Sequence, residues 1–396
     1  MKREPLWTKN FIMIAGVNFL LTLVFFLLVV IIGLYAVESF NATTSQAGLV
    51  TGIFIVGTLI GRLFIGGKID RIGRKNTLII GFILFNAVTL LYFIQSTITV
   101  LLITRLLHGI SLGIASTAAA TIVAYIIPMA RRGEGIGYFS MSSTLATAIG
   151  PFVGLLLIQY TTFPVIFTIC FVVGIVGLFS ALLVQVPNQS SAPVEGKNMV
   201  KRFAVSQYIE PKAVPIASVT LFIAFCFSSV LSFVNFYAIE LDLLQAASVF
   251  FLVYAISVLI SRPFTGRLMD AKGANYVMYP AFVLLATGLV LLGTASNSFT
   301  FLLAASLIGF GFGNMQSCTQ AIAVKITPMH RMGMATSTFF IFLDAGLGFG
   351  PYVLGLLLAG VSYSEMYILL GGVAASTVIL YYVVYGRKDK SYLSAH

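Results

Sequence analysis

Charge is scarce in this chain. Lys, Arg, Asp and Glu make up only 9% of its 396 residues, against 59% hydrophobic ones, and the mean hydropathy is +1.02. A water-soluble domain of this length could not bury so much apolar surface, so a sizeable soluble domain is excluded and lipid must be the main solvent. Acidic residues are scarcer still, 12 against 23 basic ones, for a net charge of +11. In a soluble protein that excess would suggest nucleic-acid binding, but the placement of the basic residues decides against it, and nucleic acid is not an expected partner. Cysteine is limited to Cys170, Cys226 and Cys318, each inside an apolar run, with no paired spacing and no His or Asp companions. That pattern argues against a disulfide framework or a zinc site and leaves the three as small packing residues. No nucleophile–base set, metal cluster or phosphate-binding loop appears, so neither an enzyme nor a bound metal or cofactor is expected.

What the chain has in abundance is apolar runs of about the 20 residues that a spanning helix needs. They fall near 11–36, 46–67, 77–95, 98–126, 134–159, 163–186, 213–239, 246–266, 275–294, 298–325, 332–359 and 363–385. The expected fold class is all-α, a polytopic membrane protein of twelve transmembrane helices. Lys2, Arg3 and Lys9 precede the first run and mark it as an uncleaved start. With the N-terminus in the cytoplasm, the inside loops collect Lys68, Arg71, Arg74, Lys75, Arg131, Arg132, Lys197, Lys201, Arg202, Lys212, Arg267, Lys272, Arg331, Arg387, Lys388 and Lys390, while the outside loops show Glu38, Glu240, Asp242 and Glu365. This asymmetry satisfies the positive-inside rule. Both termini are therefore expected in the cytoplasm, and the location is the cell (inner or plasma) membrane. The polar stretch at mid-chain reads as a linker, which gives an N-terminal six-helix bundle over 1–186, a cytoplasmic linker over 187–212 and a C-terminal six-helix bundle over 213–396. Within the linker the sequence allows a short interfacial helix around Phe203–Ile209.

Sliding the chain by 200 positions brings the same features into register. Arg62, Phe64, Gly66, Asp70 and Gly73 fall on Arg262, Phe264, Gly266, Asp270 and Gly273, and Gly109 and Gly113 fall on Gly309 and Gly313. Pro128, Met129, Arg131 and Gly133 meet Pro328, Met329, Arg331 and Gly333, and Gly150-Pro151 meets Gly350-Pro351. Two related six-helix halves are the usual plan of a carrier whose substrate site lies near mid-membrane.

The loop after the second span reads Gly66-Gly67-Lys68-Ile69-Asp70-Arg71-Ile72-Gly73-Arg74-Lys75, with glycines for a tight turn and basic groups around one carboxylate. The segment resembles the signature G-x-x-x-D-R-x-G-R-K of the major facilitator superfamily, and the likeness extends over all twelve spans. It implies a cytoplasmic gate made of Gly66, Asp70, Arg71, Gly73, Arg74 and Lys75, in which Asp70 meets the start of the eleventh span at Arg331, where a helix dipole favours an anion. The second copy, Gly266 to Ala274, lacks the later basic pair, so its gating role is expected to be weaker. In the fifth span, Gly150 and Gly154 have the small-xxx-small spacing that brings membrane helices together, and Pro151 bends the helix. Together with Gly137 these residues resemble the antiporter signature of the superfamily's drug-exporting branch, although Ser142 and Ala146 replace some of its usual glycines.

Two ionisable residues, Arg105 and Asp344, lie well inside spans. A charge at mid-membrane costs about 2.5–3.5 kcal/mol on the lenient insertion scale, which makes each a functional candidate. Asp344 lies about 18 Å into the eleventh span at 1.5 Å per residue, flanked by Phe340, Phe342 and Phe349, a setting expected to bring its pKa toward neutrality for proton exchange. Arg105 belongs to Arg105-Leu106-Leu107-His108-Gly109, similar to the family's fourth-span signature, in which the Arg is tied to proton movement. His108, one turn from it, is a third candidate for proton coupling. Arg105 aligns with Ala305 and Asp344 with Thr144, so each charge is unique to one half. Glu134, beside Arg131 and Arg132, is explained by the helix dipole alone.

Candidate cavity liners are Asn18, Phe25, Phe26, Asn235, Phe236, Tyr237, Asn314, Gln316 and Phe340. A lining rich in Phe with a few amides and one carboxylate suits an apolar or cationic organic molecule better than a sugar or phosphate. The expected function is proton-coupled export of such a small molecule by a monomer in the lipid bilayer, without cofactor and driven by the proton gradient. The alternatives are a dedicated metabolite or metallophore exporter, a proton symporter, or a membrane receptor or scaffold that transports nothing.

Overall fold

The protein is described here by a computed structural model covering residues 5–42, 44–186, 209–358 and 360–389. The expected linker, 187–208 at least, and the interfacial helix proposed at Phe203–Ile209 lie outside the described residues, Ile209 excepted. Among the described residues twelve helical stretches are long and apolar enough to cross a membrane, and no strand is present. The all-α, twelve-span expectation holds, with most ends within three residues of their expected places.

In chain order the helices are α1 (Lys9–Phe40), α2 (Thr44–Gly66), the single-turn α3 (Ile69–Ile72), α4 (Arg74–Leu90), α5 (Ile98–Ile126), α6 (Arg132–Tyr160), α7 (Phe163–Leu183), α8 (Val214–Glu240), α9 (Leu244–Lys272), α10 (Asn275–Gly293), α11 (Ser298–Ile308), α12 (Asn314–Lys325), α13 (Met332–Leu357) and α14 (Tyr363–Val384). Their starts carry the side chains that helix ends require, because the first N–H groups lack intrahelical acceptors. Thr8 accepts from the Phe11 N–H, Thr97 from Val100 and Asn297 from Thr300, and Ser362 with Glu365 forms a capping box on α14. Gly73 and Gly273, mates in the repeat, both adopt positive φ (92° and 103°) where α3 and α9 end. A side chain at either position would be strained.

The described chain divides into two compact units, each assembled from three stretches. The first holds Met1–Pro128, Leu145–Pro211 and Thr327–Ile341, and the second holds Met129–Thr144, Lys212–Ile326 and Phe342–His396. In the first unit α2 and α5 interlock through glycines. A methyl group added at Gly57 or Gly61 of α2 would land on the backbone carbonyl of Leu106 or Ile110. One added at Gly109 or Gly113 of α5 would land on that of Phe54 or Thr58. Such close backbone approach is how helices associate where lipid removes the hydrophobic drive. Around this contact, Phe54, Phe82, Phe85 and Phe167 are fully buried.

The second unit builds the same region differently. The mates of Gly57 and Gly61 are Ser257 and Ser261, so the backbones cannot approach as closely, and hydroxyls take over. Ser257 Oγ pairs with Ser306 Oγ at 2.8 Å, while the Asn314 side chain bonds Ser261 and Thr265 at 2.8–3.2 Å. Between α11 and α12 the residues Gly309–Gly313 wind as a π-turn, where the first unit has continuous α-helix. Phe312 from this turn stacks on Phe227 with centroids 4.0 Å apart. At the far end of the unit Asp389 accepts the Ala274 and Asn275 N–H groups at 3.3 and 3.0 Å, which caps α10. All three cysteines are free and buried.

Candidate functional site

The chain between α2 and α4 is too short to wander: Lys68, Arg71 and Ile72 are bonded back to the preceding turn, and Gly73 reverses the backbone. This presents the Asp70 carboxylate to partners on two helices. Arg74 donates to Oδ1 from Nη2 at 2.8 Å and from Nε at 3.1 Å, and its guanidinium lies 3.9 Å above the Tyr125 ring. The backbone N–H of Gly333, at the start of α13, also bonds the carboxylate. Only glycine fits there, since a methyl group on Gly333 would overlap the Ile69 side chain. Asp70 therefore does meet the start of the eleventh span. Arg71 is exposed and Lys75 half-buried. At that helix start, Arg331 Nε lies 2.6 Å from Glu210 Oε2.

Burial raises the Asp70 pKa, and the opposing pull of Arg74, the Gly333 N–H and His330 does not fully offset it. A carboxyl whose folded pKa is raised contributes stability that is complete below its unfolded value of about 3.9 and is lost as pH rises through the folded value. Thermal stability measured from about pH 4 to about pH 7 should therefore fall less steeply in Asp70→Asn than in the parent. Parallel curves would mean that Asp70 does not titrate in this window.

The second copy is not the weaker one in geometry. Asp270 takes the Gly133 and Glu134 N–H groups at 2.7 and 2.8 Å, so its carboxylate sits at the start of α6, where the helix dipole and the free N–H groups both favour an anion. Losing the later basic pair leaves this contact intact because backbone N–H groups make it. Glu134 needs more than the dipole to explain it. It is buried, with 2% exposure, and receives Arg131 at 2.8 Å and Arg267 at 2.9 Å. Gly266 is again a necessity, since a methyl group there would stand 2.6 Å from the Glu134 Cα.

Arg105 is fully buried in the first unit, and its hydrogen bonds fix a direction of donation. Its Nε donates to the Val50 carbonyl at 3.2 Å, its Nη1 to the Tyr92 hydroxyl oxygen at 3.4 Å, and its guanidinium lies 4.4 Å from the Phe54 ring centre. Tyr92 Oη is 3.1 Å from His108 Nδ1, and Thr89 Oγ1 is 3.4 Å from His108 Nε2. Thr89 already spends its proton on the Phe85 carbonyl at 2.8 Å, so it can only accept from Nε2. His108 Nδ1 is then the acceptor of the Tyr92 proton. The chain runs Arg105 to Tyr92 to His108 to Thr89, with a neutral imidazole in the Nε2–H form. A second proton on His108 would reverse the Tyr92 bond, leave the Tyr92 proton without its acceptor and place two cations side by side. Tyr92→Phe should therefore leave the fold intact but free both Arg105 and His108. Imidazole nitrogen NMR shifts check this, and unchanged His108 shifts would rule the chain out.

Asp344 is half-buried on α13, within the stretch that belongs to the second unit. Gly150 and Gly154 press on α1, where added methyl groups would lie 2.6 Å from Phe26 Cβ and 2.8 Å from the Leu27 carbonyl. Pro151 sits inside a helix that continues through it. Phe25 stacks on Phe54 at 4.9 Å, Asn18 is buried, and Phe26, Gln316 and Phe340 are half-buried. Asn235 and Phe236 are exposed on α8. Tyr237 is not available as a liner: it is buried and donates to the Gly293 carbonyl at 2.9 Å. Asn314 is likewise buried and engaged with Ser261 and Thr265.

The residues missed from sequence are Arg62, Arg262 and Glu210. Arg62 lies 4.3 Å from the Phe340 ring centre, and its carbonyl accepts from Ser337 at 2.7 Å. Arg262 is among the largest fully buried side chains, and its Nε and Nη1 find no hydrogen-bond partner among the described residues. The signal was present, since the two arginines are mates in the repeat.

Comparison with known proteins agrees with this geometry. The family model described as Major Facilitator Superfamily matches residues 14–344 and again 244–394. The chain is 25% identical over 375 residues to an uncharacterised MFS-type transporter of Methanocaldococcus jannaschii, covering 91% of this chain and 92% of that one. It is 22% identical over 366 residues to the staphylopine export protein of Staphylococcus aureus, covering 89% and 91%. It is 26% identical over 332 residues to multidrug resistance protein 1 of Bacillus subtilis, covering 79% and 80%. Among solved structures, FucP in the outward conformation superposes with a TM-score of 0.76 at 15% identity, covering 96% of this chain and 99% of that one.

Proposed function

The chain belongs to the Major Facilitator Superfamily, and from that premise we propose that it is a proton-coupled exporter of a small apolar or cationic organic compound. The observation that carries the coupling is Asp344, a half-buried carboxylate inside an apolar span. A charge at mid-membrane is costly to insert, which makes this carboxylate the candidate for proton loading and release. Its protonation can therefore bias the access equilibrium. Arg105 holds its place through the Tyr92–His108 chain and supplies the fixed positive charge. Asp70 and Asp270 latch the starts of α13 and α6, and their release accompanies the change of access. Both termini face the cytoplasm of the cell membrane, because that orientation puts Lys68, Arg71, Arg74, Lys75, Arg131, Arg132, Arg267, Lys272, Arg331, Arg387 and Lys388 on the inside. The working unit is a monomer, and no cofactor takes part.

The likeness to multidrug resistance proteins supports export and a broad substrate class. A second reading, a dedicated metabolite exporter, is favoured by the likeness to the staphylopine export protein. Uptake into inside-out vesicles of a panel of lipophilic cations, neutral aromatics and amino-acid-derived metabolites, with and without a pH gradient, tests both. Gradient-dependent uptake of several lipophilic compounds is expected. Uptake of one metabolite alone selects the second reading, and uptake that ignores the gradient overturns proton coupling.

A further inference from the structure

At the first turn of α13 an arginine is neutralised in a way that the internal repeat does not provide. Arg331 is the mate of Arg131. Arg131 meets its acid three residues on in its own helix, Glu134 at 2.8 Å. The residue three on from Arg331 is Met334, whose sulfur lies 3.2 Å from Nη2. The acid comes instead from outside the helix. Glu210 Oε2 is 2.6 Å from Arg331 Nε, and the Glu210 backbone N–H donates to Thr338 Oγ1 at 2.9 Å. Glu210 is 2% exposed, and it, Arg331 and Thr338 all belong to the first unit. Its own mate in the repeat is Asn10, which is no acid and whose side chain accepts the Gln185 N–H at 3.0 Å.

We propose that Glu210 is a positioning residue of the gate, a second carboxylate that holds the start of α13 in the first unit alongside Asp70. It grips two successive turns, the first through Arg331 and the second through Thr338. Asp70 meets α13 at its first turn, through the Gly333 N–H. The proposal rests on the alternating-access reading for its purpose, but the contact is tested without measuring transport.

Hydrogen exchange of the full-length protein in lipid nanodiscs follows the amides of 329–338, with 129–138 as the internal reference. In Glu210→Gln the loss of the ion pair with Arg331 should speed exchange over 329–338 by at least about tenfold and leave 129–138 unchanged. Thr338→Val, which removes the acceptor of the Glu210 N–H together with the hydroxyl's own bond to the Met334 carbonyl, should give a smaller rise of about threefold in the same segment. The double variant Glu210→Gln/Met334→Glu returns an acid to the place Glu134 occupies in the first half. It neutralises Arg331 without restoring the tie, so exchange should stay fast. Unchanged exchange over 329–338, an equal rise over 129–138, or recovery in the double variant would each overturn the proposal. None of these outcomes depends on protons or substrate, so a failure here is distinguishable from a failure of the exporter reading.

Discussion

Asp344→Asn is expected to abolish transport driven by a pH gradient while the protein still folds and inserts. The side chains have nearly the same shape, and the amide keeps hydrogen-bonding capacity, so packing around this half-buried position changes little. What is lost is the ability to exist in two charge states. A charge at mid-membrane costs about 2.5–3.5 kcal/mol to insert, which makes the two states differ in their preference for the span. An amide, locked in the neutral state, cannot transmit that difference to the access equilibrium. Substrate exchange without a gradient should survive in the same variant, because it needs only the empty and loaded neutral forms. Counterflow and gradient-driven uptake measured in one proteoliposome preparation separate the two. Full gradient-driven uptake by Asp344→Asn would remove Asp344 from the coupling mechanism, and loss of both activities would make it a binding residue instead.

The twelve spans and their ends were legible because hydropathy and helix capping act locally. The expected span 98–126 coincides with α5, and Thr97 at its start is a capping residue visible in the sequence. The paired turns at Gly73 and Gly273 were legible for the same reason, since the repeat marked both. What sequence did not yield was rotation about the helix axes. In lipid the outward face is as apolar as the packed face, so an amphipathic stripe is missing. Phe236 and Tyr237 are neighbours of similar character, yet one is exposed and the other buried on the Gly293 carbonyl. For the same reason Tyr237 and Asn314 read as cavity liners although the second unit consumes both.

Contacts between distant segments were illegible in a different way. Asp70 meets the start of α13 through the Gly333 N–H, but nothing local in the sequence pairs Arg331 with Glu210, 121 positions earlier in the chain. The π-turn at Gly309–Gly313 was hidden too. It faces Ser257 and Ser261, which stand where the first half has Gly57 and Gly61. The repeat predicted that the two regions would correspond and could not predict that one would be wound differently.

That same comparison gives the largest expected effect on the fold, Gly109→Ala. A single methyl group would land on the backbone carbonyl of Phe54, and a backbone atom cannot rotate aside as a side chain can. Overpacking of this kind costs about 1–3 kcal/mol in ordinary cores and occasionally more. The upper end applies here because Gly57, Gly61 and Gly113 are closed against carbonyls in the same interlock, so α2 and α5 must separate along their whole contact. Gly52→Ala on the same α2 is the control. Nothing lies within 4 Å of its added methyl group, and alanine is favoured over glycine in a helix by about 0.5–1 kcal/mol. The melting temperature of detergent-solubilised protein should therefore fall sharply for Gly109→Ala and stay level or rise for Gly52→Ala. Gly109→Leu should not accumulate in the membrane at all. Similar melting temperatures for the two alanine variants would mean that α2 and α5 do not meet through their glycines, and Arg105, held by the Val50 carbonyl of α2 from α5, would then lose the frame that fixes its charge.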